Sequence, residues 1–203
     1  GVRTKAGTYR ADAVVVNADF ARAMTKLVPD RLRRRWKDRK IARKKFSCST
    51  FMLYLGLDGR DEEVAHHTIY FPKEYEKNLA EITHQHRLSD DLSFYVQNDC
   101  VTDPALAPKD RTALYVLFPV THQHPNVDWS KEAPRFRELA LDRLHLVGVK
   151  NVRKRILCER MITPCGWDRD FELHLGATFN LAHNFGQLLH LRQCQLFHLA
   201  RTR

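Results

Sequence analysis

The sequence predicts an α/β chain, a mixed β-sheet with helices on one side, and three observations lead there. Gly7–Val16 ends in the run Ala13–Val16, apolar on both faces as in a strand covered on both sides, and Asn17-Ala18-Asp19 follows at once, its Asn and Asp being residues that cap a helix. Farther on, segments rich in β-branched and aromatic residues alternate with two stretches, 73–87 and 130–146, whose apolar residues recur at helical spacing. With 203 residues, 43% of them hydrophobic, the chain can bury a core of its own, which argues against overall disorder.

In order along the chain, Gly1–Thr4 is a short extended piece, Gly7–Val16 a strand, and Phe20–Leu27 a helix that Pro29 stops. Arg31–Lys45 is helix-forming by composition, but Leu32 and Trp36 are not followed in phase by Ile41, so it lacks a buried stripe and reads as an exposed connector. Ser49–Leu57 is a strand closed by the turn signal Asp58-Gly59, and His67–Phe71 a strand ended by Pro72. Lys73–Arg87 carries Tyr75, Leu79, Ile82 and His86 at spacings of four, three and four, predicting a helix with that face buried. Ser93–Cys100 and Ala113–Val120 are two further strands, split by a loop with Pro104 and Pro108. Ser130–Leu146 is a helix through Phe136, Leu139, Ala140 and Leu144, and Arg155–Thr163 is a closing strand.

The charge is local. Of the formal net +10, the segment Arg31–Lys45 supplies +9, from ten cations against Asp38, so the rest of the chain is nearly neutral. Three readings stay open for it: a solvated connector, attachment to anionic lipid head groups, and nucleic-acid binding. Trp36 among cations suits the boundary between water and hydrocarbon, which makes Arg33, Arg34, Trp36, Lys37 and Lys40 the candidate membrane-surface residues; no nucleic acid is expected, because basic residues do not recur through several elements. No aliphatic run approaches the ~20 residues of a membrane-spanning helix.

Motifs exclude more than they assign. None of the eight glycines falls into GxGxxG or GxxxxGK[ST], so a backbone cradle for a pyrophosphate is missing, and neither GxSxG nor HExxH occurs. Cys48, Cys100, Cys158, Cys165 and Cys194 form no CxxC pair, which argues against a disulfide framework or structural zinc and for a reducing compartment. The pairs His66-His67, His84-Gln85-His86 and His122-Gln123-His124 invite a metal reading, yet they lie on different elements without matching carboxylates, so no metal site is assigned. The opening Gly1-Val2-Arg3-Thr4-Lys5, without initiator Met or signal-type apolar region, reads as the middle of a longer chain.

The order of segments carries a resemblance. Arg10–Asp19 (RADAVVVNAD), Met52–Leu57 (MLYLGL), His66–Tyr70 (HHTIY), Ser93–Asn98 (SFYVQN), Val101–Pro104 (VTDP), Leu114–Pro119 (LYVLFP), Asp128-Trp129, Ile162–Pro164 (ITP) and Gly176–Leu181 (GATFNL) together resemble the bacterial-type phytoene desaturases, FAD-dependent flavoproteins of the carotenoid desaturase family within the amine-oxidase-like superfamily. The resemblance runs from Gly1 to about Arg192.

It implies a fragment of such an enzyme, lacking the amino-terminal FAD motif and the carboxy-terminal FAD segment, and inactive in isolation. The domains would be 1–29, a remnant of a Rossmann-like FAD-binding domain; 30–46, the basic connector; 47–175, the substrate-binding domain; 176–192, the return towards the FAD domain; and 193–203, a tail outside the family pattern that reads as a shifted frame or an artificial end. The implied cofactor is FAD, with Asn17, Ala18 and Asp19 as its neighbours; by residue type alone Asn17 and Asp19 are equally helix caps. The implied substrate is a polyene hydrocarbon such as phytoene, held in an apolar tunnel for which Phe51, Tyr54, Phe94, Phe118 and Phe179 are lining candidates, although most such residues are ordinary core. The implied location is cytoplasmic, peripheral on the inner face of the membrane. No proton acceptor is identified. Related isomerases, saturases and oxygenases share the architecture, and a non-enzymatic basic module is the rival from another class.

Overall fold

The computed structural model describes residues 1–184 and 187. Expectations for 193–203, and for most of 185–192, lie outside the described residues. The chain divides into two compact units, Gly1–Lys44 and the remainder from Lys45.

In the first unit, β1 (Val2–Thr4) and β2 (Gly7–Tyr9) form an antiparallel hairpin with Thr4 opposite Gly7. The strand expected over Gly7–Val16 ends at Tyr9, and Val15 is 92% exposed. A β-branched run becomes a strand only where a neighbour supplies ladder hydrogen bonds and cover, and no described segment pairs with it. A helix does follow: α1 (Phe20–Arg22) continues as a wider turn over Ala23–Leu27, burying Phe20, Ala21, Ala23 and Met24. Its cap is the Asp19 carboxylate, which accepts from the Arg22 backbone N–H at 2.8 Å.

The basic segment is broken into a tight turn over Asp30–Leu32 and the single-turn α2 (Asp38–Ile41). Arg33 explains the break. Its guanidinium turns inward, 4% exposed, donating to Asp38 Oδ1 at 2.7 Å and to the Trp36 carbonyl at 2.9 Å, and pairing with Asp30 at 3.1 Å. Arg33 thus organises the segment rather than standing on its surface. Trp36 meets Phe20 edge-on at 4.9 Å, with the Arg35, Lys40 and Lys44 cations 5.2 to 5.6 Å from its ring centroid.

The second unit contains β3 (Ser49–Asp58), β4 (His67–Tyr70), α3 (Tyr75–Ala80), β5 (Phe94–Gln97), β6 (Arg111–Val120), α4 (Trp129–Arg143), α5 (Val152–Arg155), β7 (Ile156–Ile162) and α6 (Pro164–Phe171). The strands form one sheet in the order β4-β5-β6-β3-β7. The α/β class is as expected, but every pairing is antiparallel where a mixed sheet was expected. The reason is where the helices cross: α3 joins antiparallel neighbours, and α4 carries the chain from β6 over β3 to β7, so the two parallel strands never touch.

One face of the sheet is the core. Phe51, Leu53, Leu55 and Leu57 of β3, Leu114, Val116 and Phe118 of β6, and Phe94 and Val96 of β5 are buried with Trp129, Phe136, Ala140, Leu141 and Leu144, the inner stripe of α4 and the turn that ends it. Phe51 lies 4.8 Å from Phe136 and stacks with Trp129 at 5.8 Å. Each such aromatic contributes about 1.5 to 3 kcal/mol by leaving water. Asp128 starts α4 by accepting from the Ser130 N–H at 3.1 Å and its hydroxyl at 2.6 Å.

The apolar stripe expected of Lys73–Arg87 is mostly outside. Tyr75 and Leu79 are exposed, Ile82 is buried, and Asn78 and Glu81 take the inward positions. Hydrogen bonding decides this orientation: Asn78 Oδ1 accepts from the Ser93 backbone N–H at 3.3 Å and hydroxyl at 2.8 Å, and Glu81 accepts from Arg87 at 2.5 Å.

Candidate functional site

Residues directly opposite in an antiparallel pair share a face, so the register defines what the second face of the sheet carries. Gly56 pairs with Ala113 and Cys158, Tyr54 with Tyr115 and Arg160, and Leu117 with Tyr95. Tyr115 lies edge-on to Tyr54 at 5.4 Å and to Tyr95 at 6.0 Å. Where α6 approaches, the Trp167 indole donates to the Thr50 carbonyl at 2.8 Å. Beyond α6 the face is only partly covered and holds a cavity of about 550 Å³ lined by Tyr54, Gly56, Gln97, Tyr115, Cys158 and Arg160. Gly56 leaves room there, since a Cβ would lie 2.5 Å from Cys158 Sγ and force that side chain to turn away. Burial, and after it the neighbouring phenols, pushes the Tyr115 hydroxyl above its ordinary range, so it stays protonated.

A second cavity, about 640 Å³, opens at the end of the sheet where β3 begins and β6 ends. Phe46, Cys48, Ile82, His86, His122 and Phe179 are among its lining residues. Phe46 is held by a bridge to Leu181, and the Ser47 hydroxyl accepts from the Phe179 N–H at 3.1 Å. Three histidines gather here: His86 stacks on His124 at 4.3 Å and meets His122 edge-on at 5.1 Å. Burial first, then neighbouring histidines, holds His86 and His122 below the ordinary imidazole range, so both are neutral near pH 7. His122 Nδ1 lies 3.1 Å from the Ser47 carbonyl oxygen, which only accepts. Nδ1 therefore carries the proton and Nε2 is the basic nitrogen. Burial also raises the Cys48 thiol, which stays protonated. Along β3, Ser49 and Gly56 are about 23 Å apart at roughly 3.3 Å per residue, so the two cavities mark opposite ends of one strand.

The residues expected from sequence are distributed as follows. Phe51, Phe94 and Phe118 are fully buried beneath α4, whereas Tyr54 lines the first cavity and Phe179, half exposed, the second. Asn17 and Ala18 are exposed and available for contact, but the Asp19 carboxylate is engaged as a helix cap. No described segment supplies the glycine-rich cradle for a pyrophosphate. Arg34 and Lys40 are exposed, Lys37 donates to the Asp30 carbonyl, and Arg33 is inside. Sequence reading missed the histidine cluster as a unit. The repeated His-Gln-His at 84–86 and 122–124 was the visible signal, but only the fold brings His86 to His122 and His124. Among the described residues no group of three or more His, Cys, Asp or Glu has the arrangement of a metal site.

An antiparallel sheet sealed by a helix on one face, with aromatic side chains and a cavity on the other, is a two-layer unit of an α/β protein with one face left partly open. No family model matches the chain. A 4,4'-diapophytoene desaturase (4,4'-diapolycopene-forming) of Methylomonas sp is 43% identical over 194 residues, 95% of this chain and 38% of that protein. An all-trans-zeta-carotene desaturase of Myxococcus xanthus is 42% identical over 90% of this chain and 35% of that protein, and a phytoene desaturase (lycopene-forming) of Pseudescherichia vulneris 34% identical over 85% and 35%. The chain belongs to the phytoene desaturase-type family of carotenoid desaturases. It spans little more than a third of the length of these relatives.

Proposed function

We propose that the protein to which this chain belongs is a carotenoid desaturase, an oxidoreductase that introduces double bonds into a long polyene hydrocarbon, and that this chain supplies much of the surface that holds the polyene. The observation that carries the reading is the likeness, along nearly the whole chain, to relatives named as desaturases of diapophytoene, zeta-carotene and phytoene. The site chemistry agrees. A hydrocarbon offers no hydrogen bonds, so it is held by apolar and aromatic contact, as Tyr54, Tyr115 and Phe179 provide in two cavities strung along β3. Phe51, Phe94 and Phe118 stiffen the sheet beneath them.

The proposed cofactor is FAD, which when bound supplies the hydride acceptor, with Asn17, Ala18 and the backbone of Asp19 along its edge. The proposed setting is the membrane surface, because the substrate dissolves in the bilayer; among the described residues no helix is long and apolar enough to cross a membrane. Arg34, Trp36, Lys37 and Lys40 contact anionic head groups, on the cytoplasmic side, and Arg33 positions them.

The test is to purify the full-length protein, record its flavin absorbance, and incubate it with acyclic C30 and C40 polyenes in liposomes. A red-shifted product with additional conjugated double bonds is expected. A product of altered geometry with the same number of double bonds would replace desaturation by isomerisation.

A further inference from the structure

We propose that His122 is the proton acceptor of the desaturation, taking the proton from the polyene at Nε2. The inference rests on the desaturase reading above. Forming a double bond removes a hydride from one carbon and a proton from its neighbour: the first C–H bond leaves with its electron pair for the flavin, the electron pair of the second becomes the new π bond, and the bare proton needs a base. Once hydride departure places positive charge on an allylic carbon, the adjacent C–H is strongly acidic. A weak base suffices, provided it is uncharged and sheltered from water beside the hydrocarbon.

The cavity at the end of β3 and β6 offers an uncharged base of this kind, half-buried beside aromatic side chains. No Asp or Glu is among its described lining residues, and Cys48 is held protonated. His84 and His183 are exposed, whereas His122 is half-buried between Ser47 and His86. The Ser47 carbonyl fixes the proton on Nδ1, which leaves the Nε2 lone pair without a hydrogen-bond partner among the described residues, in a side chain that lines the cavity. His86 bonds the Thr121 hydroxyl, a group that donates or accepts, so its tautomer is not fixed in the same way. Burial first, then His86, and less His124 and His174, hold the imidazole below its ordinary range against the Ser47 hydrogen bond, which raises it; Lys45, Cys48, His84 and His183 are the other titratable groups on the cavity wall. Phe46 and Phe179 add aromatic surface to the cavity wall. After transfer the proton rests on Nε2, from which water in the open part of the cavity takes it.

The experiment uses the full-length holoenzyme and its His122→Asn variant, whose side-chain amide can still donate to the Ser47 carbonyl but offers no basic nitrogen. Wild type is first shown to add double bonds to the polyene; if it adds none, the desaturase reading falls and this inference with it. Expected for the variant are unchanged flavin absorbance and polyene affinity, kcat lowered about 100-fold or more, loss of the acidic limb of the kcat pH profile, and partial rescue by added imidazole. Independently of turnover, nitrogen NMR of histidine-labelled wild type should show the Nδ1–H tautomer for His122 at pH 7. A wild-type tautomer with the proton on Nε2, or a variant whose kcat stays within threefold of wild type, overturns the proposal.

Discussion

Arg155 grips Asp61 with two parallel hydrogen bonds, Nη1 to Oδ1 at 2.8 Å and Nη2 to Oδ2 at 2.7 Å, and its Nε donates to the Asp58 carbonyl at 2.7 Å. The Asp61 backbone N–H in turn donates to Thr112 Oγ1, so the end of β3, the start of β6 and the entry to β7 meet around the Asp61–Arg155 pair, whose acidic partner is the Asp61 carboxylate. That carboxylate is almost wholly buried. Arg155→Ala should therefore destabilise the fold by about 3 kcal/mol, because an unpaired charge is left inside. Arg155→Lys should recover only part, an ammonium being unable to match both oxygens. Urea unfolding read by tryptophan fluorescence checks this, and an unshifted midpoint for Arg155→Ala would refute it.

Asn78 provides a second test of stability. Replacing it by Ala removes the acceptor for the Ser93 N–H and hydroxyl and should cost about 1 to 3 kcal/mol. Leu79→Ala, one residue away and exposed, should change stability by less than about 0.5 kcal/mol. The reverse ranking in thermal melts would mean that the helix presents its apolar side inward after all.

The basic segment separates two kinds of arginine. Arg34→Gln with Lys40→Gln removes surface charge, each worth on the order of 1 kcal/mol at an anionic membrane, and should weaken salt-sensitive sedimentation with anionic liposomes without altering melting. Arg33→Gln should instead loosen the Asp30–Asp38 turn, visible as faster proteolysis within residues 30–41. Equal liposome binding by the double variant and wild type would remove lipid attachment from this segment.

Acid should weaken the second unit through its histidines. His86 and His122 are held below the unfolded imidazole value of about 6.5, so the unfolded chain binds more protons between the folded and unfolded values. Their stabilisation is complete above about pH 6.5 and is lost as pH falls through the lowered folded values. Melting temperature should drop between pH 7.5 and 5.5, and less steeply in His86→Gln. A variant with the wild-type slope would count against the cluster as the source.

Much of this architecture was legible because local signals agree with the fold. Ser49–Asp58 and Arg111–Val120 are long β-rich runs between turns, and Asp128 marks the start of α4. What failed has one physical origin: propensity and periodicity describe a segment alone, while its orientation is set by partners. Val15 is strand-like without a neighbour, Arg33 is a cation that two aspartates pull inward, and Asn78 outranks Tyr75 because Ser93 waits for it. The aromatic residues showed the same limit. Alternation along β3 separates Phe51 from Tyr54, but which side α4 covers is a fact of the crossover.

That one-sided division of labour bears on how such a chain can change over generations. Because α4 and the residues beneath it carry the burden of folding, Tyr54, Tyr95, Tyr115 and Leu117 on the opposite side are excused from it. Substitutions there can reshape the surface offered to a ligand while the scaffold stays intact. Innovation and robustness are thus assigned to opposite sides of a single strand, one residue apart.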